Sequence, residues 1–569
     1  MLYTSLAKLY EDLSSTTKRL EKIEILSEFL KSLKKEEAYI LYLLEGNIYP
    51  DYDERKIGIS NQLAIKALSK ATGTPIKKIE TEWKKIGDLG EVAQKLTRTK
   101  TQTTLHSHTL TTIKVLENLR KLPELEGHGT VGRKLSLITE LLTSANSIES
   151  KYLMRTLLSD LRIGVQESTI KSSLVKAYFK NEEKAEETIQ KAIDRTNDLA
   201  EVFEIAKDKK LTDFNKLKLE IGKPIKAMLA QKATSIEQAF KDLGTPLAVE
   251  YKYDGFRLLI HKDKTKVILF TRRLENVTKQ FPEVVEYVKS HIKGDSFILD
   301  SEAVGFDKKT KQYTDFQAIS QRIRRKHGIK QLQEKLPVEV NVFDILYYNG
   351  KPQLDKPFRE RADLIRKIIK DHPYKLITSK KIITSNKKEV EEFYKQALKD
   401  KQEGVMLKNL DAEYKPGRRV GHMLKIKPES RDFDLVITGA EWGTGKRKGW
   451  LSSFRLSCKK EKEYIEIGKS STGLKEKKEQ GISYEQLTDL LKPLIIEEKG
   501  RKVRIKPKII VAVTYQEIQK SPNYKAGLAL RFPRFLALRD KDKLLSEITT
   551  LEEIEQEFKH QKKERYAYG

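Results

Sequence analysis

A lysine followed by an aspartate and a glycine is the first feature of this chain that could do chemistry. Lys252 stands in the segment EYKYDGFR, with Asp254 and Gly255 close behind it. The run PLAVEYK is β-rich, so the lysine is predicted to lie where a strand ends and a turn begins. An amine there can act as a nucleophile once it loses its proton, which positive neighbours and partial burial favour. So short a pattern also occurs by chance in solvated strands, and it is informative only together with other motifs.

Further groups of charged and aromatic residues follow in order along the rest of the chain. Their basic side chains could neutralise charge on phosphate oxygens, and their carboxylates could bind a divalent cation. Any one of these basic residues alone would be read as an ordinary surface charge, so the specificity lies in the ordered set. The groups are 270–278 (FTRRLENVT), 299–302 (LDSE), 342–344 (VFD), 403–408 (EGVMLK), 425–428 (KIKP) and 531–534 (RFPR).

This ordered set resembles the covalent nucleotidyltransferases, the superfamily of DNA ligases, RNA ligases and mRNA capping enzymes. It is most similar to the ATP-dependent DNA ligases of the archaeal and eukaryotic replicative type. The resemblance covers nearly the whole chain, with LRIGV at 161–165, EWG at 441–443 and FRL at 454–456 as further matches. It implies a ligase that seals nicks in duplex DNA during replication, repair and recombination, through a lysine–AMP intermediate and a 5′-adenylated DNA intermediate.

The resemblance also implies roles for individual positions in binding ATP. Lys252 matches the catalytic nucleophile, Glu250 the residue that reads the adenine edge, and Phe343 the aromatic ring that stacks on adenine. At Arg419 the neighbouring Arg418 is an alternative match. The implied ATP-binding residues are Glu250, Arg257, Arg272, Glu302, Phe343, Arg419, Lys425 and Lys427.

Two carboxylates and two arginines complete the implied site. Glu302 matches a residue that meets the ribose or the metal, and Glu403 matches one on the metal side. Hard carboxylate oxygens suit Mg²⁺, although other divalent cations could serve. Arg531 and Arg534 match residues of a closing domain that contact the departing pyrophosphate.

Two other functions remain compatible with these motifs. An RNA ligase or a capping enzyme would share the same motifs. Such smaller relatives, however, generally lack a long helical region before the nucleotidyltransferase motifs. A DNA-binding protein without catalytic activity is the alternative from another class. It would have no use for Lys252, Glu302, Glu403 and Lys425 together.

The elements that must position these residues divide the chain into three predicted domains. Apolar residues recur three and four apart through 1–215, which predicts an all-helical DNA-binding domain. Residues 216–428 open with a connector at about 216–245 and continue as an antiparallel α+β nucleotidyltransferase (adenylation) domain. Residues 429–569 predict an OB-fold β-barrel of short strands with a C-terminal helix. The fold class is therefore multidomain α+β.

Composition agrees with a nucleic-acid partner but does not identify a reaction. The 569 residues include 111 Lys and Arg against 82 Asp and Glu, for a formal net charge of +29. Such a field attracts polyanions, and nicked double-stranded DNA is the expected partner. A generally basic surface explains the charge equally well. The family resemblance alone implies a sliding clamp as a further partner, and we expect a monomer.

The single cysteine and the absence of a long apolar run bear on location. Cys458 can form no disulfide within the chain and no Cys-based zinc site, and it is expected to be a packing residue. No segment approaches the roughly 18 apolar residues of a membrane span. We therefore expect an intracellular, cytoplasmic protein of an archaeal-type cell, with no membrane association.

Overall fold

The computed structural model describes residues 1–98, 110–127, 129–314, 319, 321–323, 325, 327–418, 420–428, 432–476, 482–539 and 543–567. Arg419, one of the predicted ATP-binding residues, lies outside the described residues. Within the described part the chain forms a helical region, a central region of two sheets and a final β-rich region. This arrangement confirms the predicted fold class.

The first region is helical because its apolar side chains fall at helical spacing and meet in one core. That core extends from Tyr3 to Leu217 and includes Leu6, Leu13 and Leu26. Several helices begin at capping side chains; Asp88 and Asp198, for example, accept hydrogen bonds from the first backbone N–H groups of their helices. The helices are α1 Tyr3–Ser15, α2 Arg19–Ser32, α3 Ile40–Leu44, α4 Asn61–Thr72, α5 Ile76–Ile86, α6 Leu89–Thr97, α7 Thr112–Glu124, α8 Thr130–Ser144, α9 Ser147–Leu157, α10 Glu167–Tyr178, α11 Ala185–Thr196 and α12 Leu199–Ala206.

The central region contains two sheets that face each other across the predicted site. The first sheet has the strand order β10-β3-β11-β13-β2, and the second has the order β5-β4-β6-β7-β8 with β9 also beside β7. Strands β1 and β12 form a short separate pair. The strands are β1 Met228–Leu229, β2 Gln231–Lys232, β3 Leu247–Lys252, β4 Phe256–Asp263, β5 Lys266–Thr271, β6 Ser296–Gly305, β7 Val338–Tyr348, β8 Lys351–Pro352, β9 Leu376–Thr378, β10 Lys381–Thr384, β11 Gly404–Asn409, β12 Gly417–Arg418 and β13 Met423–Ile426.

Helices cover the outer face of each sheet. The outer face of the first sheet packs Leu247, Val249 and Leu407 into one core with residues of its covering helices, such as Val390. The second sheet has its own core, which includes Leu258, Leu299 and Val340. The helices of this region are α13 Ile236–Leu243, α14 Pro282–His291, α15 Ile329–Lys335, α16 Phe358–Ile368 and α17 Lys387–Lys399.

The final region is a curved sheet that closes on itself. Its strand order is β16-β15-β14-β18-β17, and β19 pairs with both β14 and β22. A bridge between Thr472 and Arg534 joins the chain after β16 to β22, which closes the barrel expected of an OB-fold. Its elements are β14 Asp432–Trp442, β15 Leu451–Lys460, β16 Glu463–Ser470, α18 Tyr484–Leu491, β17 Ile495–Lys499, β18 Lys502–Ile505, β19 Ile510–Thr514, β20 Glu517–Lys520, β21 Leu528–Arg531, β22 Arg534–Leu538 and α19 Leu551–Ala567.

Three details of the central region differ from the sequence-based expectation. The segment 216–245 is more than a connector, because β2 pairs with β13 and α13 packs Ala239 and Leu243 into the core. The β-rich run around Lys252 divides at the turn 253–255, so that β3 and β4 belong to different sheets. The sheets are also not wholly antiparallel, since β2 is parallel to β13 and β9 to β7.

Ion pairs join the helical region to the other two regions. Lys226 contacts Asp51 at 2.7 Å and Glu167 at 2.5 Å, at the start of the central region. Lys84 of α5 contacts Glu498 of β17 at 2.9 Å. The helical region therefore contacts both of the others. In the described parts of the chain, no helix is both long and apolar enough to cross a membrane.

Candidate active site

The first sheet presents one polar face, and the order of its strands brings four predicted residues onto it. Side chains alternate between the two faces of a strand, so Glu250 and Lys252 share the face opposite the core. Strand β11 pairs Gly404 with Lys252, and β13 pairs Lys425 with Met406 of β11. Glu403 precedes β11 and donates its backbone N–H to the Lys252 carbonyl at 2.9 Å. Residues far apart in sequence therefore meet at one end of this sheet.

Lys252 ends β3 and is held by a carboxylate. Its ammonium nitrogen lies 2.6 Å from Oε2 of Glu403, and the Lys252 side chain is 20% exposed. Lys427 also contacts Glu403. Burial alone would raise the pKa of Glu403, but the two ammonium groups outweigh burial and hold that pKa at about 2. Glu403 is therefore an anion that holds two lysines together.

A glycine makes the approach of β11 to β13 possible. Gly404 has a φ of +142°. A Cβ at this position would overlap the carbonyl oxygen of Ile426. The residue after Glu403 must therefore lack a side chain if Glu403 and Lys427 are to meet.

Positive charge is concentrated beside Lys252. Lys425 and Lys427 both have a lowered pKa, first because of burial and then because of neighbouring lysines that include Lys252. Arg272 also contributes to the field at Lys425. Such a cluster of cations in a partly buried cleft suits a polyphosphate.

The second sheet contributes an arginine whose geometry is fixed on several sides. Arg257 of β4 pairs with Asp300 of β6, with Nε 2.7 Å from Oδ1. Its guanidinium also donates to the hydroxyl of Tyr414 at 2.9 Å and to the carbonyl oxygen of Met228 at 3.0 Å. Burial opposes the charge of Arg257, but Asp300 outweighs it and raises the arginine pKa above its ordinary value. Arg257 is therefore permanently charged and rigidly placed.

Glu302 lies directly opposite Arg257 in the register of β4 and β6. Burial raises its pKa to about 8, Lys252 and Arg257 oppose that rise, and the negative charge of Glu403 adds to it. The negative charge of Glu403 therefore disfavours ionisation of Glu302 across the cleft beside Lys252. A divalent cation between them would relieve this repulsion, so the donor set fits Mg²⁺. Among the described residues no group of three or more His, Cys, Asp or Glu side chains could hold a metal ion, but Mg²⁺ commonly uses only one or two carboxylates.

Glu250 and Phe343 lie at the other end of the cleft and share one partner. Lys408 of β11 contacts Glu250 at 2.7 Å, and its ammonium lies 4.9 Å from the centre of the Phe343 ring. Phe343 is the extra residue of a bulge, because Val342 pairs with Ser301 and Asp344 with Asp300. A bulge redirects a side chain, and this ring remains partly exposed although both its neighbours are buried.

Not all predicted residues gather in this cleft. Arg272 directly follows β5, is exposed, and lines a small cavity together with Arg257 and Asp300. Arg531 and Arg534 lie on β21 and β22 of the last region, where Arg531 pairs with Glu517 at 2.7 Å.

Sequence reasoning missed four residues that shape the cleft. Lys408 and Asp300 belong to the groups 403–408 and 299–302 but had no predicted role, and Tyr414 and Lys381 belong to none of the groups. Lys381 is aligned with Glu250 on β10, and burial lowers its pKa. The available signal was a charged residue inside a largely apolar strand, as in GVMLKN and SFILDSEAVG. A charge that is buried in a strand requires a partner, and that partner marks the site.

In a comparison with known proteins, each of the three regions matches a DNA ligase family model. Residues 2–175 match the family described as DNA ligase N terminus, residues 227–427 the ATP dependent DNA ligase domain, and residues 447–543 the ATP dependent DNA ligase C terminal region. The chain is 42% identical to the DNA ligase of Nanoarchaeum equitans and 40% identical to that of Thermococcus onnurineus. Each alignment covers 99% of both chains.

A solved structure called Pmar-Lig_PreS3 has a similar fold. Its TM-score is 0.58 at 19% identity, and the match covers 94% of this chain and 99% of the other. At that identity the likeness concerns the fold alone.

Proposed function

The chain belongs to the ATP-dependent DNA ligase family, and from that premise we propose that Lys252 is the residue that becomes adenylated. The protein is an ATP-dependent DNA ligase, and its substrate class is nicked DNA. The observation that supports this role for Lys252 is its position: it lies in a cationic cleft, paired with Glu403 and close to Lys427 and Glu302.

In the first step the Nζ of Lys252 attacks the α-phosphorus of ATP. The ammonium first loses a proton, and the free amine then forms a P–N bond while the bond from the α-phosphorus to the oxygen bridging to the β-phosphate breaks and pyrophosphate leaves. Lys425, Lys427 and Arg272 neutralise charge that develops on the phosphate oxygens. Before ATP binds, Glu403 holds the lysine in place.

In the second step an oxygen of the 5′-phosphate at the nick attacks the same phosphorus. The P–N bond breaks, Lys252 recovers a proton, and a 5′-adenylated DNA end forms. In the third step the 3′-hydroxyl loses its proton and attacks the 5′-phosphorus, the phosphodiester bond forms, the phosphoanhydride bond to the AMP phosphate breaks, and AMP leaves.

We also propose roles for the remaining predicted residues. Glu250 and Phe343 bind the base, Arg257 and Glu302 meet the ribose side, and Arg419 is a further nucleotide contact. Glu302 and Glu403 would hold Mg²⁺ or another divalent cation, which supplies positive charge to the phosphates when bound. Arg531 and Arg534 would reach the pyrophosphate when the last domain closes over ATP.

At the level of the whole chain we propose domains at 1–215, 216–428 and 429–569. We also expect a monomer that acts in replication, repair and recombination and binds a sliding clamp, as the family resemblance implies. Most of its contacts with DNA should be to phosphate groups. Binding should therefore weaken as the salt concentration rises and should not depend on the base sequence.

The test is a substrate panel of nicked DNA, nicked RNA and 5′-diphosphate RNA, each incubated with ATP and Mg²⁺. Wild-type protein should join only the nicked DNA, and Lys252→Ala should join none of the three. Nick sealing by Lys252→Ala at the wild-type rate would contradict the role of Lys252. Preferential joining of RNA would contradict the proposed substrate.

A further inference from the structure

Lys408 is a buried lysine that connects the two walls of the nucleotide cleft. Its residue is only 4% exposed. Its ammonium lies 2.7 Å from Oε2 of Glu250 on one sheet and 3.3 Å from the carbonyl oxygen of Phe343 on the other. It also lies 4.9 Å and 4.4 Å from the ring centres of Phe343 and Phe358. A buried ammonium is tolerated when it has partners of this kind, because they replace its lost water.

The ion pair uses only one of the two carboxylate oxygens of Glu250. Oε2 contacts Lys408, whereas Oε1 is buried and accepts no hydrogen bond from any residue that the structure describes. Glu250 itself is 2% exposed. It lies on the same face of β3 as Lys252, two residues earlier. An acceptor that is buried without a donor is costly, so this oxygen is suited to a donor that a ligand brings.

We propose that Lys408 is a positioning residue that makes the cleft specific for a 6-aminopurine. By donating to Oε2, it fixes the carboxylate and leaves Oε1 to accept a hydrogen bond from a ligand. A 6-amino group can donate to that oxygen. The oxygen of a 6-oxopurine would instead approach Oε1 of Glu250. Both oxygens carry negative charge and neither has a hydrogen to donate, so this contact is unfavourable. This inference rests on the proposed function, in which Lys252 is adenylated and Glu250 faces the base.

Removal of the lysine should change the position of the Glu250 carboxylate. Oε2 would lose the ammonium that fixes it. The carboxylate could then turn, so that Oε1 no longer faces the 6-position of a bound purine. Lys408→Met should therefore weaken ATP binding and reduce discrimination against inosine triphosphate, which carries a 6-oxo group. Lys408→Arg keeps the charge and should retain most of the discrimination.

The experiment measures the rate at which the full-length protein becomes covalently labelled, over a range of ATP and of inosine triphosphate concentrations. The proteins are wild type, Lys408→Met, Lys408→Arg, Glu250→Gln and the double variant Lys408→Met/Glu250→Gln. The matched control is Lys380→Met, which removes a lysine that pairs with Asp400 at 3.2 Å near the surface of the same domain.

For Lys408→Met we expect the KM for ATP to rise about tenfold, while the maximal rate changes by less than about threefold. The preference for ATP over inosine triphosphate should fall about tenfold. In the Glu250→Gln background the same substitution should cause no further fall, because Lys408 acts through Glu250. Lys380→Met should keep the wild-type preference.

An unchanged preference in Lys408→Met, with only a slower rate, would overturn the proposal and leave Lys408 a structural role. If Lys408→Met does not fold by circular dichroism, Glu250→Gln and Lys408→Arg decide the matter. The proposal then requires Glu250→Gln to lose the preference and Lys408→Arg to keep it, and any other pattern overturns it. Wild-type protein that takes no label from either nucleotide would contradict the proposed function itself, which is a distinguishable result.

Discussion

At the scale of single residues, Glu403 holds Lys252, the amine that we propose becomes adenylated. It contacts both Lys252 and Lys427, and its pKa of about 2 keeps it ionised throughout the physiological range. Loss of that charge would leave two ammonium groups close together with no anion between them. We therefore expect Glu403 to affect adenylation by positioning Lys252, independently of any bound metal ion.

We predict that Glu403→Gln slows self-adenylation about 100-fold, because the lysine loses the partner that positions it. The measurement is the single-turnover rate of covalent labelling at saturating ATP. Glu391→Gln is the control, since Glu391 pairs with Lys387 at 3.5 Å within the exposed face of α17. A rate for Glu403→Gln within about threefold of the control would show that the ion pair has no positioning role.

Several residues predicted from the sequence lie together in one cleft, namely Lys252, Glu403, Lys425 and Lys427. The sequence did not predict how they are held. The pairing of Arg257 with Asp300 depends on the register of β4 and β6, and that of Glu250 with Lys408 on the register of β3 and β11. The placement of Phe343 depends on a bulge in β7. Register is set by contacts between distant segments, which a local pattern does not contain.

At the scale of elements, strands β3, β11 and β13 act as one unit. Their apolar residues alternate with polar ones, so one face forms a core and the other forms the cleft. Strand β3 was predicted from the β-rich run PLAVEYK, whereas β11 and β13 were recognised only as motifs. The roles of β2 and α13 were not predicted, because their short segment reads as a Gly- and Pro-punctuated connector.

A substitution at Gly404 tests whether the packing of β3, β11 and β13 matters for stability and for labelling. We predict that Gly404→Ala lowers the free energy of unfolding by about 1 to 3 kcal/mol, because of its φ and its overlap with the backbone of Ile426. Labelling with ATP should slow as well, since Glu403 and Lys427 would move apart.

The control is Gly328→Ala, at a φ of +69° with no atom near the added Cβ. It should cost about 1 kcal/mol and leave labelling intact. Chemical denaturation and the labelling assay provide the two readouts. Equal effects of the two substitutions on labelling would contradict the role assigned to Gly404.

At the scale of the whole molecule, an acidic cluster lies where the helical domain meets the central one. Glu45 is partly buried beside Asp51, Glu167 and Asp198, and Lys226 of the central domain pairs with Asp51 and Glu167. Burial, followed by the charge of Asp51, raises the pKa of Glu45 to about 8. We therefore expect the contact between the two domains to be sensitive to pH.

The direction of that sensitivity follows from proton binding. Between pH 4.5 and about 8 the folded protein holds a proton on Glu45 that the unfolded chain has released. Stability is therefore lost as the pH rises through this window. We predict that Glu45→Gln raises the free energy of unfolding by on the order of 2 kcal/mol at pH 9 and changes it little at pH 5.

Thermal unfolding of both proteins at the two pH values makes this comparison. Glu183→Gln, at an exposed position of the same domain, should leave Tm unchanged at both. Stabilisation of Glu45→Gln at pH 5 but not at pH 9 would show that the sign is wrong.

The most direct test of the central claim is covalent labelling of Lys252. Purified protein, first freed of bound AMP, is incubated with Mg²⁺ and ATP that is radiolabelled at the α-phosphorus, beside Lys252→Ala, and resolved on a denaturing gel. We predict label on the wild-type chain only, and transfer of that label to DNA when a nicked duplex is added. Label on Lys252→Ala, or label on the wild type that nicked DNA does not remove, would contradict the claim that AMP passes through Lys252 to the nick.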